Sequence, residues 1–368
     1  MNIPLMDLKA QYSQIRQELL DAASRVLDSG AYILGPEGRA FEAEFAKAVG
    51  VAHVAGVSSG TKALELSIEA LGVGPGDEVA VPAFTFIATA TAVAARGARP
   101  VLVDVDPRSL TLDPADLERR ITPRTKAVIP VNLYGCPADM DGIMAVCRAR
   151  NLRVLEDCAQ AHLAAYKGLP VGGLGDMGAF SFYPSKNLGA LGDAGAVSTQ
   201  DPSLHEAVLL LRNCGRPPGK QYEHARIGHN SRLDELQAAF LRVKLKRLPG
   251  WTEARRAVAG LYREKLSGLP VTLPPEEKGG TSHVYHLFII QAPKRDALAE
   301  RLKAAGIGCG VYYPKPLHLL EAFRHLGHKA GDFPQAERAC GEVLALPMYP
   351  ELAPEMVDRV AEAIREFY

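Results

Sequence analysis

The chain has 368 residues, 47% of them hydrophobic and 23% charged, so it can bury a large core and is long enough for two domains. Its 42 basic and 42 acidic residues cancel, which argues against a general electrostatic attraction to nucleic acid or to membranes. The first residues lack a basic segment followed by an apolar core, so we expect no signal peptide.

The cysteines give no sign of a metal centre. The six cysteines include no CxxC pair, and no group of cysteines and histidines has the spacing of a zinc site. We therefore expect reduced thiols in a cytoplasmic protein. The most apolar stretch, residues 79–95, contains Pro82 and several threonines, so it is expected to form a strand, a loop and a helix rather than a membrane span.

The N-terminal part is predicted to begin with two helices and to continue as alternating strands and helices. Apolar residues at helical spacing predict the first helix over residues 14–28, and Pro36 can open the second. Short apolar runs separated by helical patterns predict strands at residues 53–57, 78–81, 100–104, 126–131 and 153–157. This order indicates an α/β fold with a mainly parallel sheet, in which ligands bind beyond the carboxyl ends of the strands.

The C-terminal part has a different pattern. A polar, basic loop over residues 215–230 lies between two predicted helices, at residues 203–213 and 232–248. Pro249-Gly250 end the second helix, and a further helix runs to about residue 266. The rest predicts strands at 287–290 and 309–312 and helices at 295–305 and 354–367. We expect a large α/β domain over residues 1–248 and a small C-terminal α+β domain over residues 249–368.

One lysine, Lys186, lies in a stretch of aromatic, hydroxyl and glycine residues that runs from Phe180 to Ala196. The residues before it alternate like a strand, and those after it contain too much glycine for a helix interior. A lysine in a partly apolar turn loses hydration, so its pKa falls and the neutral amine can form a Schiff base with a carbonyl. The alternative is a surface lysine in a glycine loop.

Three further features follow predicted strands. Ser59-Gly60-Thr61 opens a helix whose free amides and hydroxyls suit one phosphate, although the same residues make an ordinary N-cap. Asp157 ends an apolar strand, where a buried carboxylate needs a partner such as a protonated ring nitrogen or a basic side chain. Phe86 could stack on a flat ring or pack in the core. With Lys186, these features match the requirements of pyridoxal 5′-phosphate (PLP).

Two other stretches have different interpretations. Residues 173–178 match G-x-G-x-x-G, but no hydrophobic strand precedes them and a strand-like segment follows where a dinucleotide site needs a helix. We interpret them as a turn that lets the backbone approach the site, and a nicotinamide dehydrogenase is ranked last. The aromatic, proline-stiffened loop over residues 312–318 could close on a substrate or could be a structural turn.

Segments spread over nearly the whole chain resemble the DegT/DnrJ/EryC1/StrS family of PLP-dependent sugar aminotransferases, which has the type I aminotransferase fold. They include Ser59-Gly60-Thr61-Lys62-Ala63-Leu64, Thr85-Phe86-Ile87-Ala88-Thr89-Ala90, Glu156-Asp157-Cys158-Ala159-Gln160-Ala161-His162, the stretch around Lys186 and Asn230-Ser231-Arg232-Leu233. They occur in the order that the family has. The resemblance implies a large, mainly parallel-sheet domain followed by a small C-terminal domain.

The resemblance also implies a role for each candidate residue. Lys186 forms the Schiff base with PLP, Asp157 pairs with the pyridine nitrogen, Phe86 stacks on the ring, and Gln160 approaches the ring hydroxyl. Gly60, Thr61 and Ser181 hold the phosphate, and Asn230 reaches the phosphate in the neighbouring subunit of a homodimer. The candidates for substrate contact are Tyr183, Arg232, Tyr313 and His318.

The reaction that the resemblance implies is transfer of an amino group from L-glutamate to a dTDP- or UDP-linked ketosugar. The segments around Asn230 and Tyr313 are more typical of action at sugar carbon 3 than at carbon 4. Some relatives carry histidine in place of the lysine and act as dehydratases, so Lys186 favours transamination. Two alternatives stay open: amination of a non-nucleotide ketone such as a keto-inositol, and a PLP-binding regulator without catalysis.

Overall fold

A computed structural model describes residues 2–368 of the protein. Two helices, α1 (Leu8–Ser29) and α2 (Pro36–Val49), precede the first strand. The Asp7 side chain accepts hydrogen bonds from two amides in the first turn of α1, and Gly30 ends the helix with φ of 63°. Asp7 pairs amides that the start of the helix leaves free, and Gly30 N pairs with the carbonyl of Leu27 at its end. Because of the Asp7 cap, α1 begins six residues earlier than its apolar pattern predicts.

Strands and helices then alternate, as the sequence predicts. The strands are β1 (His53–Val57), β2 (Glu78–Pro82), β3 (Arg99–Val103), β4 (Thr125–Val128), β5 (Arg153–Asp157), β6 (Ala165–Tyr166), β7 (Leu169–Pro170), β8 (Met177–Ser181) and β9 (Gly195–Thr199). The helices between them are α3 (Gly60–Ala70), α4 (Ala88–Ala95), α5 (Pro114–Arg120) and α6 (Met140–Arg150), and a single 3₁₀ turn covers Leu133–Gly135. Strands β6 and β7 form a separate small hairpin.

Seven strands form the large sheet in the order β1-β9-β8-β5-β4-β2-β3. In the row β8-β5-β4-β2-β3, each strand is parallel to its neighbours, and β9 is antiparallel to both β8 and β1. Two antiparallel steps restore the direction, so β1 points the same way as β8. The carboxyl ends of β1, β2, β5 and β8 therefore meet at one edge of the sheet, which is where such folds bind ligands.

The large sheet is buried because helices cover it. Val79, Val81 and Leu102 are each at most 1% exposed, and they pack with apolar residues of α3 and α4. Continuous burial along a strand is what a parallel sheet covered on both faces requires. The predicted α/β fold with a mainly parallel sheet is confirmed.

The C-terminal part contains a second, two-stranded sheet. It pairs β10 (Phe288–Gln291) with β11 (Val343–Leu346) in antiparallel register. The remaining helices are α7 (Pro202–Arg212), α8 (Glu235–Leu245), α9 (Leu248–Lys265), α10 (Arg295–Ala304), α11 (Pro334–Glu342) and α12 (Pro354–Arg365), with short 3₁₀ turns at Leu317–Leu319 and Glu321–Leu326. Apolar residues of α9, α10 and α12 pack around one face of this small sheet.

Two details of the predicted C-terminal part are wrong. Residues 309–312 form no strand, because this segment makes one isolated bridge, between Gly310 and Ala345. The helix predicted over residues 232–248 covers only Glu235–Leu245. Pro249 then lies in the first turn of α9, where a missing N–H is tolerated. The division of the chain after residue 248 into two domains stays a prediction.

Within residues 2–368, no helix combines the length and the apolar character needed to cross a membrane. The same residues contain no group of three or more histidine, cysteine, aspartate or glutamate side chains placed to hold a metal ion.

Candidate active site

Lys186 lies in the loop that follows β8. The loop is closed by hydrogen bonds from Phe182 N to Ala194 O (2.8 Å) and from Ala190 N to Phe182 O (2.7 Å), and Lys186 N donates to Tyr183 O (2.8 Å). Burial lowers the pKa of the Lys186 ammonium to about 8, although the negative charge of Asp157 acts in the opposite direction. A larger fraction of this amine is therefore neutral near pH 7 than for a lysine in water, which suits a nucleophile.

Asp157 is the last residue of β5 and is 5% exposed. One carboxylate oxygen accepts a hydrogen bond from the Thr89 hydroxyl (2.9 Å), and the other accepts from Ala159 N (3.1 Å). Burial raises the pKa of Asp157, while these two hydrogen bonds and the charge of Lys186 favour the carboxylate form. The buried carboxylate is therefore suited to a cationic partner, such as a protonated ring nitrogen.

The start of α3 meets the end of β8. A Cβ atom on Gly60 would lie 2.5 Å from the Cβ of Ser181, so glycine is required for this contact. Ser59 pairs two amides of the first turn, because its side chain accepts from Lys62 N and its carbonyl accepts from Ala63 N. The amides of Gly60 and Thr61 come before these two and lie at the positive end of the helix, where Gly60 contacts Ser181. This arrangement can hold a phosphate group.

Phe86 follows β2, and its side chain is 51% exposed. Its ring lies 5.8 Å from that of Tyr313, measured between centroids. The Tyr313 hydroxyl accepts from Gln160 Nε2 (3.1 Å), and Gln160 Oε1 accepts from Tyr134 N (2.6 Å). An exposed ring at the carboxyl end of a strand is available to stack on a flat ligand, and it is not part of the core.

The structure brings the candidates together to different degrees. Direct contacts or electrostatic interactions link five of them, which are Lys186, Asp157, Gln160, Phe86 and Tyr313. Together with the contact between α3 and β8, they occupy the edge at which the strands end.

Asn230 and Arg232 lie at the end of β1. Ser58 N donates to Ser231 O (3.2 Å), and Arg232 makes an isolated antiparallel bridge with Val57. The Asn230 side chain is exposed, so a contact with a neighbouring subunit stays a prediction. Tyr183 is likewise exposed and free to meet a substrate.

His318 is placed differently from the other substrate candidates. Its side chain has no exposed surface, and its Nε2 lies 3.0 Å from a carboxylate oxygen of Glu337. Its ring lies 4.7 Å from the ring of Phe333. The structure does not bring His318 to an open surface, so its contact with substrate remains a prediction that needs a change of position.

Sequence reasoning missed two groups that support the site. Thr89 orients Asp157, and it lies four residues after Thr85, whose hydroxyl is 3.3 Å away. Glu156 is fully buried, and its carboxylate accepts from the amides of Gly172, Leu174 and Gly175. The glycine-rich turn that includes the G-x-G-x-x-G match therefore surrounds a carboxylate that directly precedes Asp157. The four-residue spacing of the threonines could have indicated the first group.

The sequence model of the DegT/DnrJ/EryC1/StrS aminotransferase family matches residues 13–365. The chain belongs to this family.

Relatives of known name support the same assignment. The chain is 50% identical, over 363 residues, to the UDP-N-acetyl-3-dehydro-alpha-D-glucosamine 3-aminotransferase of Acidithiobacillus ferrooxidans, and the match covers 99% of this chain and 97% of the relative. The crystal structure of S. venezuelae DesV in complex with a ketimine intermediate is 47% identical, with a TM-score of 0.97 and coverage of 100% and 98%. The predicted aminotransferase activity is confirmed.

The cofactor of this family member is PLP. A structure of NtdA from Bacillus subtilis with bound cofactor PMP is 31% identical, with a TM-score of 0.92, and the match covers 99% of this chain and 85% of that chain. The residues of the present chain fit the cofactor, because glycine at position 60 lets the start of α3 approach Ser181, where a Cβ atom would lie 2.5 Å from the Ser181 Cβ. The partly buried Lys186 and the buried Asp157 interact electrostatically, and they supply the amine and the carboxylate that the aldehyde and the ring nitrogen require.

Proposed function

We propose that this aminotransferase moves an amino group from L-glutamate to carbon 3 of a dTDP- or UDP-linked ketosugar, in amino-sugar biosynthesis. The relative from Acidithiobacillus ferrooxidans supports this proposal, because its name places the transfer at carbon 3 of a UDP-linked sugar and half of its residues are identical. The exposed ring of Tyr183 offers a flat surface for a substrate as large as a nucleotide sugar.

The observation that carries the proposal is the placement of Lys186 beside Asp157. PLP, when bound, supplies an electron sink that stabilises negative charge at the α-carbon of an amine substrate. We infer that Asp157 holds the ring nitrogen and keeps it protonated, with Thr89 and Ala159 fixing its two oxygens. The amides of Gly60 and Thr61, with the Ser181 hydroxyl, would hold the phosphate.

Lys186 has two tasks in this proposal. Its neutral amine would hold the cofactor covalently and would be freed when the amino donor binds. The freed amine would move a proton from the α-carbon of glutamate to the carbon of the cofactor aldehyde, and in the second half-reaction it would move a proton from that carbon to carbon 3 of the sugar. A pKa of about 8 suits both tasks, because a group that exchanges protons near neutral pH needs a pKa close to it.

We also propose that the working form is a homodimer with shared active sites. Several large apolar side chains are exposed, including Tyr32 and Ile33, which are 51% and 44% exposed. Exposed apolar surface of this kind is typical of an interface. Asn230 would then reach the phosphate held by the neighbouring subunit.

The six cysteines are unpaired, which fits the reducing cytoplasm that we propose as the compartment.

The test is a transfer assay with the purified protein, PLP, L-glutamate and a panel of ketones. The panel contains a UDP-linked 3-ketosugar, a dTDP-linked 3-ketosugar, the matching 4-ketosugars and a keto-inositol, and mass spectrometry detects the amine. We expect the amine from a nucleotide-linked 3-ketosugar and none with Lys186→Ala. Turnover of the keto-inositol alone would refute the nucleotide-sugar assignment. Failure of every amino donor to convert the bound cofactor would indicate a regulator without catalysis.

A further inference from the structure

We propose that helix α8 fixes the position of Lys186 by holding the loop that carries it, with Lys244 and Gln237 as the positioning residues. The inference rests on the proposed function, because these residues would act through Lys186. The loop in question is the segment from Phe182 to Ala194 that connects β8 to β9.

Two side chains of α8 hydrogen-bond to this loop just after Lys186. Lys244 Nζ donates to Gly189 O (2.8 Å), and Gln237 Oε1 accepts from Leu191 N (2.8 Å). Lys244 and Gln237 are seven residues apart, which is about two helical turns, so they lie on the same face of α8. One helix therefore binds the loop at two backbone groups, the carbonyl of Gly189 and the amide of Leu191.

The loop has little freedom to adjust at this point. A Cβ atom on Gly189 would lie 2.3 Å from Pro184 O, so the two arms of the loop are in close contact there. Asn187 connects the loop to a further segment of the chain, because its Nδ2 donates to Val284 O (2.9 Å). A shift at Gly189 would therefore pass through Pro184 to the turn in which Lys186 lies.

Packing alone does not explain a lysine at position 244. The residue is 4% exposed, and among residues 2–368 no carboxylate lies within salt-bridge distance of its ammonium. Burial lowers its pKa to about 8, which reflects the cost of placing an ammonium there. The carboxyl end of α8 offsets part of this cost. Methionine would fill a similar volume without that cost, so the specific contribution of lysine is its hydrogen bond to the loop.

The same helix also anchors the N-terminal part of the chain. Glu235, at the start of α8, accepts hydrogen bonds from the amides of Gly35, Glu37 and Gly38. This contact fixes α8 against the start of α2. The helix is therefore a firm support for the loop rather than an element that moves with it.

The test compares Lys244→Met with Lys246→Met, because Lys246 lies two residues further along and is exposed. The first readout is amide hydrogen exchange of residues 183–191 in the cofactor-free protein. The second is the pH at which the visible absorbance of the PLP-loaded protein titrates. In Lys244→Met we expect exchange about tenfold faster and a midpoint shifted by about 0.5 pH unit or more. Lys246→Met should match the wild type in both.

The proposal is wrong if a folded Lys244→Met protein exchanges the amides of residues 183–191 at the wild-type rate and its visible absorbance titrates at the wild-type pH. If circular dichroism shows that this variant does not fold, Gln237→Leu carries the same test, because Gln237 is partly exposed. Unchanged exchange in Gln237→Leu would then overturn it. Neither readout needs glutamate or a sugar, so a wrong substrate leaves this result intact. Failure of the wild-type protein to take up PLP would refute the proposed function and leave the exchange result standing.

Discussion

The rate at which the cofactor-free protein takes up PLP should follow the protonation state of Lys186. Burial lowers the pKa of this lysine from 10.5 to about 8. The neutral amine is the form that attacks the cofactor aldehyde, so uptake should rise with pH. A group with a pKa of 8 is about 9% neutral at pH 7 and about 91% neutral at pH 9. We therefore expect about a tenfold rise between these values and a plateau above them.

The assay is stopped-flow absorbance from pH 6.5 to 10 at constant PLP. Nα-acetyl-lysine, mixed with the same PLP solutions, corrects for the titration of PLP itself, and Lys186→Ala should develop no bound colour. A lysine with an ordinary pKa would show about a hundredfold rise from pH 7 to pH 9 and no plateau at pH 9. That result would refute the argument that burial controls the reactivity of Lys186.

Three substitutions test the groups around the lysine. Gly60→Ala places a methyl group against Ser181 and should weaken PLP affinity by at least about tenfold, measured by equilibrium titration. Thr89→Val removes the hydroxyl that donates to Asp157, raises the pKa of that carboxyl further, and should slow the glutamate half-reaction by about tenfold or more in stopped-flow experiments. Glu156→Gln disturbs three backbone hydrogen bonds and should lower the free energy of unfolding by about 1–3 kcal/mol in urea.

Matched controls separate these effects from general damage. Gly260→Ala adds a methyl group to α9 in open space, so it should leave PLP affinity unchanged. Thr91→Val lies on the same helix as Thr89, but its hydroxyl bonds to Ala88 O, so the half-reaction should keep its rate. An equal loss in each control and its partner, or a Glu156→Gln protein with wild-type unfolding, would contradict the roles assigned to Gly60, Thr89 and Glu156.

The sequence predicts the central layout of the molecule because local patterns decide it. Apolar strands alternating with helices lead to a parallel sheet, and residues that follow those strands meet at one edge. Gly60, Phe86 and Asp157 could be placed together for this reason, before any distance was known. Lys186 is different, since its loop follows a strand whose neighbours on the two sides run in opposite directions. Lys186 was indicated by the residues around it, and not by the alternation of strands and helices.

Long-range contacts account for what the sequence does not predict. The antiparallel β9 has the sequence Gly-Ala-Val-Ser-Thr, and its place between β8 and β1 depends on pairing across the chain. Thr89 and Lys244 act through partners 68 and 55 residues away, so no local pattern assigns them a role. Residues 309–312 are predicted as a strand but make a single bridge, between Gly310 and Ala345 of β11. The burial of His318 against Phe333 is likewise a tertiary contact.

Borohydride reduction followed by peptide mapping tests the central claim most directly. The wild-type protein is loaded with PLP, reduced and digested, and the peptides that carry the reduced cofactor are identified by mass spectrometry. We predict that the cofactor is found on Lys186, in the peptide that contains Asn187 and Leu188, and that L-glutamate added before reduction removes it. A cofactor on Lys244 or another lysine, or a label that glutamate does not remove, would contradict the account.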